Sequence, residues 1–76
     1  MELSDFVKNF ASQFEEIAQN EFYPETKFKD LAEWSSLLAL SIIAMIDEEY
    51  DIKIKGDDYR NSSTIEDLYN AVISRI

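Results

Sequence analysis

The chain has no cysteine and no histidine, and only one glycine and one proline in 76 residues. Without cysteine it has no disulfide, no thiolate zinc site, no iron–sulfur cluster and no thiol nucleophile of its own. Without histidine it lacks the side chain best suited to moving protons near neutral pH, and a Ser–His–Asp triad cannot be assembled from it. One Gly and one Pro argue against an all-β fold, which consumes turn residues. Cations are scarce: seven Lys and Arg stand against sixteen Asp and Glu, a formal net charge of −9. That balance disfavours a nucleic-acid partner. No segment approaches the roughly 20 apolar residues of a membrane span; the longest apolar-rich run, Leu37 to Ile46, is about half of it. Met1 to Phe10 carries Glu2 and Asp5 and no cationic start, unlike a secretory signal, so a cytoplasmic location is the expectation.

What is present is enough for a core. Apolar residues make up 46% of the chain and aromatic ones 13%, so disorder is not implied. The length suits one domain, residues 1–76, near the lower limit for a core without staples. So small a domain leaves little room for a deep catalytic cleft. The expectation is a monomer that is not an enzyme and depends on a partner or cofactor for its chemistry.

Helical periodicity dominates. Leu3, Phe6, Val7, Phe10, Phe14 and Ile17 trace one face of a helix, expected from Ser4, as N-cap, to about Ala18. Asn20 to Trp34 breaks the pattern around Pro24, and its aromatic residues predict a loop packed back on the helices. A second helix starts at Ser35 or Ser36 and runs to Tyr50 or Asp51, apolar almost all round until Asp47-Glu48-Glu49. Two stripes can be drawn on it: Ala39, Ile43, Ile46 and Tyr50, and Leu37, Leu40, Ala44 and Glu48. In a domain this small one stripe faces the core and the other stays available to a partner. Asp51 to Lys55 reads as an extended connection, with Gly56 the position free to be left-handed and Asp57 to Arg60 a short helical turn. Ser63 to Arg75 is the last helix, with Ser63 and Glu66 at capping-box spacing and Ile65, Leu68, Tyr69, Val72 and Ile76 on its buried stripe. The expected fold is all-α: a small four-helix bundle of three main helices and one short one.

Several segments, taken in order, resemble the acyl carrier protein family. Pro24-Glu25-Thr26-Lys27-Phe28 is similar to a Pro-Glu-Thr-x-Phe segment in the family's first loop, and Asp30-Leu31 to the Asp-Leu after it, one place closer to Phe28 than usual. Ser36-Leu37 resembles the end of the family's Asp-Ser-Leu motif, and the distance from Ser36 to Tyr50 matches the family's spacing. Asp47-Glu48-Glu49-Tyr50-Asp51-Ile52 is close to Glu-Glu-Glu-Phe-Asp-Ile, and Ser63-Thr64-Ile65-Glu66-Asp67-Leu68 looks like the start of the family's last helix. The chain departs at Ser35, where the family usually has Asp, and in lacking the frequent Gly before it. Ser and Asp both cap helices well, but the negative charge is gone, and Ser35 becomes a second candidate for modification.

The resemblance implies that Ser36 carries 4′-phosphopantetheine, attached by a phosphopantetheinyl transferase with Mg²⁺; the cargo stays open among a fatty acyl chain, a polyketide unit, an amino acid and a special acyl group, with the acidity slightly favouring the carriers of fatty acid biosynthesis over peptidyl carriers. Leu37, Leu40, Ser41, Ala44, Asp47 and Glu48 are then the partner-binding residues, docking on basic patches of acyl-transferring or synthase enzymes. Charge supports this independently. Asp30 to Ile52 holds six acids and no Lys or Arg, so acids flank the apolar stripe. Read without the resemblance, Ser36 is an ordinary first-turn serine and the acids a solvated face. A different class of function stays open: an unmodified interaction adaptor with a carrier-like fold. Asp57-Asp58 hints at calcium, but the EF-hand pattern fails, with Ser62 and Leu68 where Gly and Glu are required. No metal site is expected. The aromatic residues Phe6, Phe10, Phe14, Phe28 and Tyr50 read as core, and Trp34 either as a wedge against it or as a contact for cofactor or partner.

Overall fold

Phe6, Val7, Phe10 and Ala11 recur at helical spacing, and burying them drives the first helix, α1 (Leu3–Ala11). A computed structural model describes residues 2–15 and 17–75, with Gln19 by its backbone alone. Helix α1 begins after Glu2, which makes no side-chain cap bond, and not after Ser4. It also stops seven residues before Ala18. The Asn9 carbonyl, which a further helical turn would claim, accepts instead from Ser12 Oγ at 2.7 Å and from Gln13 Nε2 at 3.4 Å. The Gln13 and Phe14 amides tighten to the Phe10 and Ala11 carbonyls at 3.2 and 3.0 Å. Side-chain competition of this kind ends helices. Phe14 is buried nonetheless, with its ring 5.0 Å from Phe22 and 6.4 Å from Trp34.

The segment between α1 and the next long helix packs back on the core as expected, with Phe22 and Phe28 buried and 3₁₀ turns at Gln19–Glu21 and Phe28–Asp30. Pro24 lies in a turn closed by the Thr26 amide on the Tyr23 carbonyl at 3.0 Å and the Tyr23 amide on Thr26 Oγ1 at 2.8 Å. This turn has a structural task. The Pro24 and Thr26 carbonyls accept from the Glu66 and Ile65 amides at 2.9 and 3.2 Å, satisfying first-turn donors of the last helix.

Helix α2 (Ser36–Tyr50) buries Ala39, Ile42, Met45 and Ile46. The inward stripe is therefore rotated from the expected one: Ala39 and Ile46 belong to it, Ile43 and Tyr50 lie at its half-buried edge, and Ile42 and Met45 complete it. The Tyr50 hydroxyl accepts from Asn9 Nδ2 at 2.8 Å, tying α2 to α1. Burial raises the Tyr50 pKa above its ordinary value, against the opposing effect of the Asn9 hydrogen bond. Asp51 closes α2 in the left-handed conformation, φ 55°, and Gly56 does not take positive φ. Asp is one of the few side chains that tolerates this region.

The expected extended connection does not begin at Asp51, which is left-handed; residues 52–55 link α2 to the next helix without regular secondary structure, Lys55 is extended, and Ile54 fills the core. Helix α3 (Gly56–Arg60) is short. Helix α4 (Ile65–Ile73) buries Ile65, Leu68 and Val72, with Tyr69 half-buried, while Ile76 lies outside the described residues. Its N-cap is Thr64 and not Ser63. Thr64 Oγ1 accepts from the Asp67 amide at 3.1 Å, and Asp67 Oδ2 accepts from the Ser63 and Thr64 amides, each at 3.1 Å. These amides hold the Asp67 carboxyl below its ordinary pKa. Asp58 plays a similar part in α3: it accepts from the Lys55 amide at 2.9 Å and from Arg75 at 2.6 Å, and its pKa is lowered first by the amide.

Helix α1 packs on α2 and α4, and α3 on α4. Their shared interior contains Phe6, Phe10, Phe28, Ile42, Ile46, Ile65, Leu68 and Val72, all fully buried. The described residues contain four helices and no strand, so the all-α bundle of three main helices and one short helix is the observed architecture.

Candidate functional site

The two adjacent serines at the start of α2 are not equivalent. Ser35 is extended, the N-cap, and its hydroxyl accepts from the Leu38 amide at 3.3 Å. Ser36 is the first helical residue and is exposed, and its hydroxyl makes no hydrogen bond among the described residues. The Leu38 and Ala39 amides are taken by Ser35, through its hydroxyl and its carbonyl. The Ser36 and Leu37 amides face no acceptor among the described residues, as at any helix start. An ester-linked phosphate on Ser36 would therefore meet two unpaired donors and the positive end of the helix dipole, worth about 0.3–1 kcal/mol at an exposed site. The residues present fit such a group.

Below Ser36, α2 exposes a continuous apolar strip. Leu37 is 74% and Leu40 64% exposed, large values for leucine. Ala44 and Glu48 are exposed, and Ser41 and Asp47 half-exposed, on the same side. The stripe of Leu37, Leu40, Ala44 and Glu48 is thus the outward one, with Asp47, Glu48 and Glu49 at its far end. Three acids in the last turn of a helix oppose its dipole and cost local stability. On the N-terminal side of Ser36 the sequence carries Asp30 and Glu33; Glu33 borders Ser35 and Leu37, and its Oε2 accepts from the Glu15 amide at 3.2 Å.

A groove of about 370 Å³ borders this site. One wall is Gln13, Glu15 and Glu33; the other is the start of α2, with Ser35, Leu37, Leu38 and Ser41. The first wall has no signal in the sequence, because residues 13–15 reach Glu33 only through the early end of α1.

Trp34 is a wedge. Its ring meets Phe28 edge-on at 4.9 Å, stacks on Phe10 at 6.5 Å and lies 6.3 Å from Tyr59. It fixes the approach to Ser35 and Ser36. Asp57 and Asp58 pair with Arg60 and Arg75. Among the described residues no three His, Cys, Asp or Glu side chains are grouped to hold a metal ion. No described helix is long and apolar enough to cross a membrane.

The phosphopantetheine attachment site family model matches residues 5–72, and the chain belongs to that family. A domain of this family is a non-catalytic carrier that bears covalent 4′-phosphopantetheine and meets the enzymes that modify it and act on its cargo. No curated protein and no solved structure matches the chain.

Proposed function

We propose that residues 1–76 form one acyl carrier domain, that Ser36 is the attachment residue, and that the cargo is an acyl group of the kind handled in fatty acid synthesis. The observation that supports Ser36 most directly is the division of labour between the serines: Ser35 spends its hydroxyl on capping α2, while that of Ser36 is exposed and makes no hydrogen bond among the described residues. The prosthetic group would supply a terminal thiol, which this cysteine-free chain lacks, to hold the acyl group as a thioester. The chain's residues do the rest by position. Ser36 presents its oxygen at the helix start, and the Ser36 and Leu37 amides face the phosphodiester. Leu37, Leu40 and Ala44 offer apolar contact with the Ser41 hydroxyl beside them, and Asp47 and Glu48 steer basic partner surfaces and allow fast release. No basic side chain adjoins Ser36 in sequence, so deprotonation of its hydroxyl falls to a separate Mg²⁺-dependent phosphopantetheinyl transferase.

The test is the intact mass of the purified chain after incubation with coenzyme A, Mg²⁺ and a promiscuous phosphopantetheinyl transferase. The expected result is a gain of one phosphopantetheine in the parent and in Ser35→Ala, and none in Ser36→Ala. No gain in the parent would favour the unmodified adaptor, whose partner binding would be indifferent to Ser36→Ala.

A further inference from the structure

We propose that Ser4, Val7, Lys8, Phe22 and Pro24 form a binding site for a free short- or medium-chain carboxylic acid, held as its anion. They line a pocket of about 290 Å³ between α1 and the turn at Pro24. None of them belongs to α2, so the pocket is separate from the outward strip and from the groove beside Ser35. The proposal goes beyond the carrier reading and does not depend on attachment at Ser36.

The pocket combines an apolar wall with two polar groups. Val7 and Phe22 are buried and Pro24 is half-buried, while Ser4 and Lys8 are exposed. Ser4, Val7 and Lys8 are spaced three and four apart on α1, which sets a hydroxyl and an ammonium one turn apart on the face that carries Val7. Among the described residues Ser4 makes no side-chain hydrogen bond and Lys8 no ion pair. The far wall is fixed. The Phe22 ring lies 5.0 Å from Phe14 and 6.4 Å from Phe10, and the Pro24 carbonyl accepts from the Glu66 amide at 2.9 Å. Collapse onto the empty space would break those contacts. An apolar cavity of about 150 Å³ is enough to take up benzene, so this pocket has room for a tail of about six carbons.

Charge selects the head group. One ammonium and one hydroxyl suit a head with a single negative charge. Glu2, Asp5, Glu21 and Glu25 lie close in sequence to the lining residues and the chain carries −9, so a doubly charged phosphate is repelled more strongly than a carboxylate. Such an acid is what hydrolysis of an acyl thioester leaves beside the thiol, so on a carrier the pocket would take up cargo lost from the arm.

The experiment is NMR titration of the unmodified ¹⁵N,¹³C-labelled chain with butyrate, hexanoate and octanoate, and with hexanol. The expected result is saturable shifts of the Val7 methyl groups and the Phe22 amide, with affinity for the acids rising about fourfold for each added methylene until the pocket is full. Lys8→Met, at an exposed position, should weaken hexanoate about two- to fivefold and leave hexanol unchanged, while Lys8→Arg keeps the parental affinity. Absence of saturable shifts, or shifts confined to Leu37 and Leu40, would overturn the site. So would equal affinity across the three acids, or a Lys8→Met effect that hexanol shares. Each of these outcomes leaves the mass test at Ser36 untouched.

Discussion

Replacing each of the two serines by alanine should separate capping from attachment. Ser35 Oγ accepts from the Leu38 amide at 3.3 Å, longer than an average bond, so its loss belongs in the lower half of the usual capping range, about 0.5–1 kcal/mol. In a domain of 60–100 residues each kcal/mol moves the melting temperature by about 4–8 °C, so Ser35→Ala should lower it by about 2–8 °C. The effect is global because α2 supplies Ile42 and Ile46 to the fully buried core. Ser36 is exposed and its hydroxyl bonds nothing among the described residues, so Ser36→Ala should leave the melting temperature within about 2 °C, as for most surface changes. Thermal unfolding followed by helical circular dichroism gives both numbers, and intact mass gives the modification. The expected pattern is crossed: Ser35→Ala melts earlier and still gains the prosthetic group, while Ser36→Ala melts normally and gains nothing. Equal destabilisation by both, or loss of the mass gain with Ser35→Ala alone, would refute the assignment.

Asp51→Gly should raise the melting temperature slightly, because Asp51 sits at φ 55°, where most side chains cost about 1–2 kcal/mol and glycine is unstrained; Asp's tolerance of this region and Gly's larger unfolded-state entropy, about 0.5–1 kcal/mol, hold the net gain to about 0.5 kcal/mol, readable in urea titration. Asp58 has a folded pKa below its ordinary 3.8, so its stabilising contribution is complete above about 3.8 and is lost as pH falls through the lower folded value. The stability gap between the parent and Asp58→Asn should therefore be full at pH 7 and close in acid, which denaturant titrations at pH 7, 4 and 2.5 would establish. Charge reversal at Asp47 and Glu48 to Lys should slow association with a basic transferase surface about tenfold or more at low salt, with the difference shrinking in high salt. Stopped-flow rates independent of both charge and salt would remove these acids from docking.

Local pattern carried much of this protein. The apolar spacing of α1 and α4, the near-continuous apolar run of α2, the outward stripe of Leu37, Leu40 and Ala44, and the short turn near Asp57 are all legible in the chain, because a helix face is written in neighbours three and four apart. So is the absence of a thiol and of an imidazole. The boundaries were less legible. Phe14 and Ile17 continue the spacing of α1, yet Ser12 and Gln13 take the Asn9 carbonyl and turn the chain at Ala11. Ser63–Glu66 and Thr64–Asp67 have the same capping spacing, and the choice went to Thr64, with Asp67 holding both preceding amides. The left-handed position went to Asp51, where a long helix had to end, and not to the glycine.

Length, composition and helical period by themselves determined an acidic all-α domain whose second helix presents an apolar, acid-flanked face, because those properties depend on residue type and on near neighbours. Tertiary structure alone decided that the Pro24 turn caps α4 through carbonyls some forty residues away, that among the described residues the Ser35 hydroxyl is engaged and the Ser36 hydroxyl is not, and that Gln13 and Glu33 face α2 across a groove. The first and last of these bring together groups distant in sequence, which the packed core of Phe10, Phe28 and Trp34 positions, while the serines differ by which of them the end of the loop leaves extended as N-cap.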